Sequence, residues 1–93
     1  MMSDYVFNPS NVLTFETVQN DSKRLFKLMD NHHDMTSLRF NLSAVSHCDS
    51  TGLALLIEAK RRCLQQGIVF QMDNMSESLH GLAEFCGVDK VLL

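Results

Sequence analysis

Ser37-Leu38-Arg39-Phe40-Asn41-Leu42 alternates apolar Leu38, Phe40 and Leu42 with polar Arg39 and Asn41. That period of two marks a strand burying one face. A polar link runs from Ser43 to Asp49, and Ser50-Thr51-Gly52-Leu53 then opens an apolar run through Ile57. A helix is expected to begin there, because Asp49, Ser50 and Thr51 offer side-chain oxygens to the free amides of a first turn. Ser50 is the expected N-cap. A helix N-terminus carries a positive partial charge that accommodates anions, phosphate included. Two hydroxyls on an exposed strand-to-helix turn make a point for docking or modification, although capping alone also accounts for Ser and Thr at a helix start.

Downstream, the helix is expected over Thr51 to Gln66, with Leu53, Leu56, Ile57, Ala59, Cys63 and Leu64 buried and Glu58, Arg61 and Gln65 outside. Gly67 suits its C-terminus, since glycine takes positive φ without a Cβ penalty. Ile68 to Met72 reads as a core strand. Ser76 caps a last helix carrying Leu79, Leu82, Ala83 and Cys86 and stopped by Gly87. Val91-Leu92-Leu93 reads as a terminal strand or a docked tail.

Upstream, Tyr5-Val6-Phe7 is a strand ended by the turn Asn8-Pro9-Ser10. Val12 to Phe15 is a second strand, with Leu13 and Phe15 on one face. Their closeness predicts an antiparallel hairpin. Asn20, Asp21 and Ser22 supply caps for a helix to about Asn31, whose stripe is Leu25, Phe26, Leu28 and Met29. The crossover from Leu38–Leu42 to Ile68–Met72 predicts two parallel strands joined right-handedly. The expected fold class is α/β, a small mixed β-sheet with helices packed against it.

Ninety-three residues with a net charge of −3 describe one modest globular domain. Lys60, Arg61 and Arg62 cluster on one helix, which reads as a solvated face rather than a nucleic-acid footprint, so no nucleic-acid partner is expected. No run is long enough for a transmembrane helix, and Met1-Met2-Ser3-Asp4 lacks the regions of a signal peptide, so no direct membrane insertion is expected. The three cysteines, Cys48, Cys63 and Cys86, are odd in number and irregularly spaced, which points to reduced thiols and a cytoplasmic location. His32, His33, His47 and His80 show no metal-ligand spacing with them, and the scattered glycines form no phosphate loop, so neither metal nor cofactor is expected. His47-Cys48-Asp49 holds residue types of nucleophilic catalysis, but adjacent residues rarely converge on one reacting atom; Cys48 reads as a small packing residue and no catalytic residue is assigned.

Leu42-Ser43 followed by Asp49-Ser50-Thr51-Gly52-Leu53 resembles the signature of STAS domains, the family of anti-sigma-factor antagonists and transporter accessory domains. Gly52-Leu53-Ala54-Leu55-Leu56 looks most like the small STAS subunit of Mla-type ABC phospholipid transporters, the MlaB-like branch. Asn41 departs from the pattern, since many STAS sequences carry Asp there. The resemblance implies a single STAS domain over residues 1–93. It also implies a non-enzymatic role at the cytoplasmic ATPase subunit of such a transporter, peripheral to the inner membrane through that partner. Asp49, Ser50, Thr51, Gly52 and Leu53 would form the partner-binding turn. In phosphorylated STAS proteins the acceptor precedes the motif glycine, which corresponds to Thr51; in MlaB-like subunits the implicated position follows the Asp, which is Ser50. The alternative implied by the family is an anti-sigma-factor antagonist controlled by phosphorylation of Thr51 or Ser50.

Overall fold

The computed structural model describes residues 3–92. In chain order the elements are β1 (Ser3–Phe7), β2 (Val12–Leu13), α1 (Val18–Asn31), β3 (Met35–Asn41), β4 (His47–Cys48), α2 (Ser50–Gln66), β5 (Val69–Asp73), α3 (Glu77–Phe85) and α4 (Asp89–Leu92). The α/β class is as expected. β3 is the middle strand of a sheet ordered β1-β3-β5, and a second, two-stranded sheet joins β2 to β4.

Every one of these pairings is parallel. The expected hairpin between the first two strands does not form. Instead β1 pairs with β3, placing Tyr5 beside Leu38, and Val12–Leu13 pairs with His47–Cys48. The turn at Asn8-Pro9-Ser10 thus passes the chain from one sheet to the other rather than folding it back. Parallel neighbours need a crossover element between them, and α1 and α2 supply it.

The alternation in β3 sorts its side chains as read. Leu38 and Phe40 are fully buried, in a cluster with Leu25 and Met29 of α1, Leu56, Ala59 and Cys63 of α2, and Leu79 and Ala83 of α3. The opposite face of the sheet is open to solvent: Val6 and Val69 are exposed there, and Arg39 is paired to Asp73 at 2.9 Å and bonded to Gln71 at 3.1 Å. All the helices therefore serve one face.

Three local expectations change, and the C-terminal segment, left open between strand and docked tail, is decided. The strand expected at Val12–Phe15 stops at Leu13, and Phe15 is 69% exposed rather than packed beside Leu13. α1 starts at Val18, ahead of the expected caps Asn20, Asp21 and Ser22. Asp21 is wholly buried within the helix, where its carboxylate accepts from the Ser10 hydroxyl and from Arg24 Nη2, both at 2.9 Å. A buried carboxylate needs such partners, and here they tie the Pro9-Ser10 turn onto α1. On α2, Leu55 is buried while Leu64 is 69% exposed. At the C-terminal end Asp89–Leu92 is a helical turn whose Leu92 is buried; Leu93, like Met1 and Met2, lies outside the described residues.

Candidate partner-docking site

β4 hands the chain directly to α2 through Asp49, which is extended (φ −108°, ψ −173°) and is the N-cap. The expected cap, Ser50, is the first helical residue instead. A carboxylate has two oxygens to share, and Asp49 uses both. Oδ1 accepts from the amides of Thr51 (3.0 Å) and Gly52 (3.1 Å) and from the Thr51 hydroxyl (2.6 Å). Oδ2 accepts from the amide of Phe15 at 3.1 Å. A serine hydroxyl could not bridge the helix start and the segment after β2 in this way. The Thr51 hydroxyl bond is the largest influence on the Asp49 carboxyl, and together with the amide bonds from Gly52, Phe15 and Thr51 it outweighs the opposing effect of burial and holds the group below its usual range.

The five motif residues divide by exposure. Ser50 and Thr51 are exposed, and Asp49 is half-buried. Gly52 and Leu53 are buried. A Cβ on Gly52 would overlap the Leu13 carbonyl, so the glycine is what lets α2 start against the backbone of β2. Among the described residues the Ser50 hydroxyl has no protein partner, whereas that of Thr51 is committed to Asp49. Next to them stands Phe15, its amide fixed by Asp49 and its ring in solvent. Sequence reasoning placed Phe15 inside, and the bond that fixes it spans 34 residues, so no local pattern could reveal it.

Beyond β4 lies an open groove of about 440 Å³, lined by Val45, His47, Cys48, Ser76, Leu79 and Leu82 among others. Cys48 is half-buried there and donates to the Asp49 carbonyl at 3.3 Å. Burial, reinforced by the neighbouring Asp49 charge, pushes its thiol up to about 11. At neutral pH it is a thiol, not the thiolate that nucleophilic chemistry needs. His47 is exposed while Cys48 is half-buried, as expected of adjacent strand residues that point to opposite sides. No group of His, Cys, Asp and Glu side chains suited to a metal ion occurs among the described residues. The two arginines of the basic cluster are spent on internal contacts, while Lys60 commits one donor. Arg61 and Arg62 pair with Glu58 at 2.8 and 3.3 Å, Arg62 lies 4.0 Å over the Phe26 ring, and Lys60 reaches the Leu92 carbonyl.

A capped turn between a strand and a helix, seated by a glycine on a neighbouring strand, is the local geometry that the motif specifies. The family model for the STAS domain matches residues 3–93. This chain belongs to the STAS family. No curated protein matches it. Among solved structures it is similar to the sulfate transporter family protein from Wolinella succinogenes, with a TM-score of 0.78 at 19% identity, over 97% of this chain and 71% of the other. At that identity the likeness speaks for the fold alone. STAS domains are found in transporter C-terminal regions and in anti-sigma antagonists, generally as regulatory and interaction domains. No helix among the described residues is long and apolar enough to cross a membrane.

Proposed function

We propose that this STAS chain is a non-enzymatic accessory subunit. It binds the cytoplasmic ATPase of an Mla-type ABC phospholipid transporter and supports its assembly or activity. The observation that carries the reading is the turn at the start of α2, where Asp49 fixes the backbone while Ser50, Thr51 and Phe15 project into solvent. A rigid turn presenting small polar groups beside one aromatic ring suits a docking surface, because little order is lost when a partner covers it. A subunit that binds one arrangement of the ATPase preferentially stabilises that arrangement. The chain would sit at the inner membrane through this partner and contact no lipid itself.

The test is co-purification with the ATPase subunit of such a transporter. Ser50→Glu should fold normally, since the Ser50 hydroxyl bonds nothing in the protein and a carboxylate suits a helix start. It should nevertheless lose most of the ATPase. Full retention of the ATPase by folded Ser50→Glu protein would remove the turn from the interface.

A second reading keeps the same turn for an antagonist of an anti-sigma factor. It is favoured by the exposed hydroxyl of Ser50 and by that of Thr51, which Asp49 orients. A phosphate there would add about 1.5–2 negative charges at a helix N-terminus. Incubation with a Ser/Thr kinase encoded beside the protein, followed by mass spectrometry of the peptide carrying Ser50 and Thr51, separates the two readings.

A further inference from the structure

The three-stranded sheet has two edges, and they differ in how well they are protected against pairing. Natural sheets guard exposed edges with charges, proline or breaks in register. β1 carries Asp4 and a break in its register with β3 between Ser3 and Asp4. β5 pairs with β3 without interruption and holds neither proline nor a basic residue in Val69-Phe70-Gln71-Met72-Asp73. Its one charge, Asp73, is engaged by Arg39 on the side of β3.

The outward groups of this strand follow from alternation. The Asp73 carbonyl accepts from the Leu42 amide at 2.9 Å, so the backbones of Val69, Gln71 and Asp73 turn towards β3. Those of Phe70 and Met72 turn away, where no other strand pairs among the described residues. A groove of about 250 Å³ runs beside them, lined by Lys60, Phe70, Gln71, Met72, Asp73 and Leu92. Residues from both faces of β5 line it, so it follows the outer edge of the strand rather than one face. Lys60 is its cation, with one donor on the Leu92 carbonyl at 3.3 Å, two donors left over and no carboxylate paired to it among the described residues; with Asp73 already paired to Arg39, the groove favours an acidic visitor.

We propose that the free edge of β5 accepts an extended segment of a partner protein as an added strand. Its main chain would pair with Phe70 and Met72, its alternate side chains would be apolar and enter the groove, and a carboxylate would meet Lys60. Edge pairing of this kind draws affinity from main-chain bonds and selectivity from pockets for alternate side chains. The surface is separate from the α2 turn, and the proposal stands whether or not that turn binds an ATPase.

The probe is a synthetic acetylated heptapeptide of alternating threonine and valine with one central glutamate, titrated into the ¹⁵N-labelled protein. Binding should shift the Phe70 and Met72 amides and slow their hydrogen exchange by about tenfold or more at saturation. A peptide with the same side chains but N-methylated on its pairing edge should not bind. Lys60→Glu should weaken the acidic peptide by about threefold and favour a lysine-centred one. Absence of shifts, shifts confined to other elements, or equal binding of the methylated peptide would overturn the proposal. Unchanged affinity in Lys60→Glu would overturn the carboxylate requirement. Protection of Phe70 and Met72 that rises with protein concentration, without peptide, would assign the edge to a second copy of this chain and overturn the partner reading.

Discussion

Replacing Gly52 by alanine tests whether the start of α2 is as closely seated as it looks. The new methyl group would fall on the carbonyl of Leu13, with the Leu13 carbonyl carbon and Cγ both at 2.9 Å. None of these atoms yields easily. Leu13 is fully buried, its carbonyl accepts the Asp49 amide at 3.2 Å, and its strand is paired to β4. Overpacking of this kind costs about 1–3 kcal/mol, and contact with backbone rather than a flexible side chain argues for the upper part of that range. The helical preference of alanine over glycine returns up to about 1 kcal/mol. The net loss is about 2 kcal/mol, or a fall of roughly 8–16 °C in Tm for a domain of this size. Gly81→Ala is the internal control, because a Cβ there meets nothing and the position is helical. It should stabilise by about 0.5–1 kcal/mol. Thermal melts followed by circular dichroism read both. If Gly52→Ala melted with or above the wild type, the close approach of α2 to β2 would be wrong, and the stated reason for glycine in the motif would go with it.

Two further outcomes follow from burial and titration. Leu56→Ala should cost about 2–5 kcal/mol in denaturant melts, while Leu64→Ala, one helical face away and in solvent, should stay within about ±0.5 kcal/mol; similar losses would mean the α2 faces are misassigned. Cys48 should resist iodoacetamide at pH 7.5 while exposed Cys86 reacts, and its rate should climb as pH rises towards about 11, where its thiolate forms. Because its folded value is raised from the ordinary 9.0, the stability it contributes is complete below pH 9 and is lost as pH rises towards 11. Cys48→Ser should leave transporter assembly and function intact; loss of function in a cell-based complementation assay, with the protein still folded and still binding its ATPase, would overturn the non-enzymatic reading.

What the sequence made legible was whatever is local. The alternation of β3, the start and glycine stop of α2, and the Ser76 cap, whose hydroxyl accepts from the Leu79 amide at 3.1 Å, all depend on neighbours within a turn. The failures have longer reach. Four residues between two short strands suggested a hairpin, yet the partner that wins for β1 is β3, after a whole crossover helix. Phe15 looked like a core residue until Asp49 fixed its amide at the surface. On α2 the buried arc is centred near Gly52, Ala59 and Cys63, and at 100° per residue Leu64 lies about 120° from that centre while Leu55 falls inside it. The apolar stripe alone did not fix its own centre. The motif turn was found at once, but which oxygen caps it depended on a second strand that no local pattern reveals.

The wholly parallel pairing governs how this chain comes together in time. Leu38 sits beside Tyr5 on one side and Phe70 on the other, and Leu13 sits beside Cys48, so each ladder closes a loop of more than thirty residues. Among the described residues no two-residue hairpin is available to nucleate the sheet cheaply, and long loops lose entropy before any contact rewards them. On the ribosome, β1 cannot find its neighbour until α1 and β3 have been made, and the sheet remains incomplete until β5 emerges. The nucleus must therefore gather around β3, the strand that both others need. Weakening Leu38 or Phe40 should slow folding, whereas weakening Leu92, in α4 and outside the sheet, should chiefly hasten unfolding.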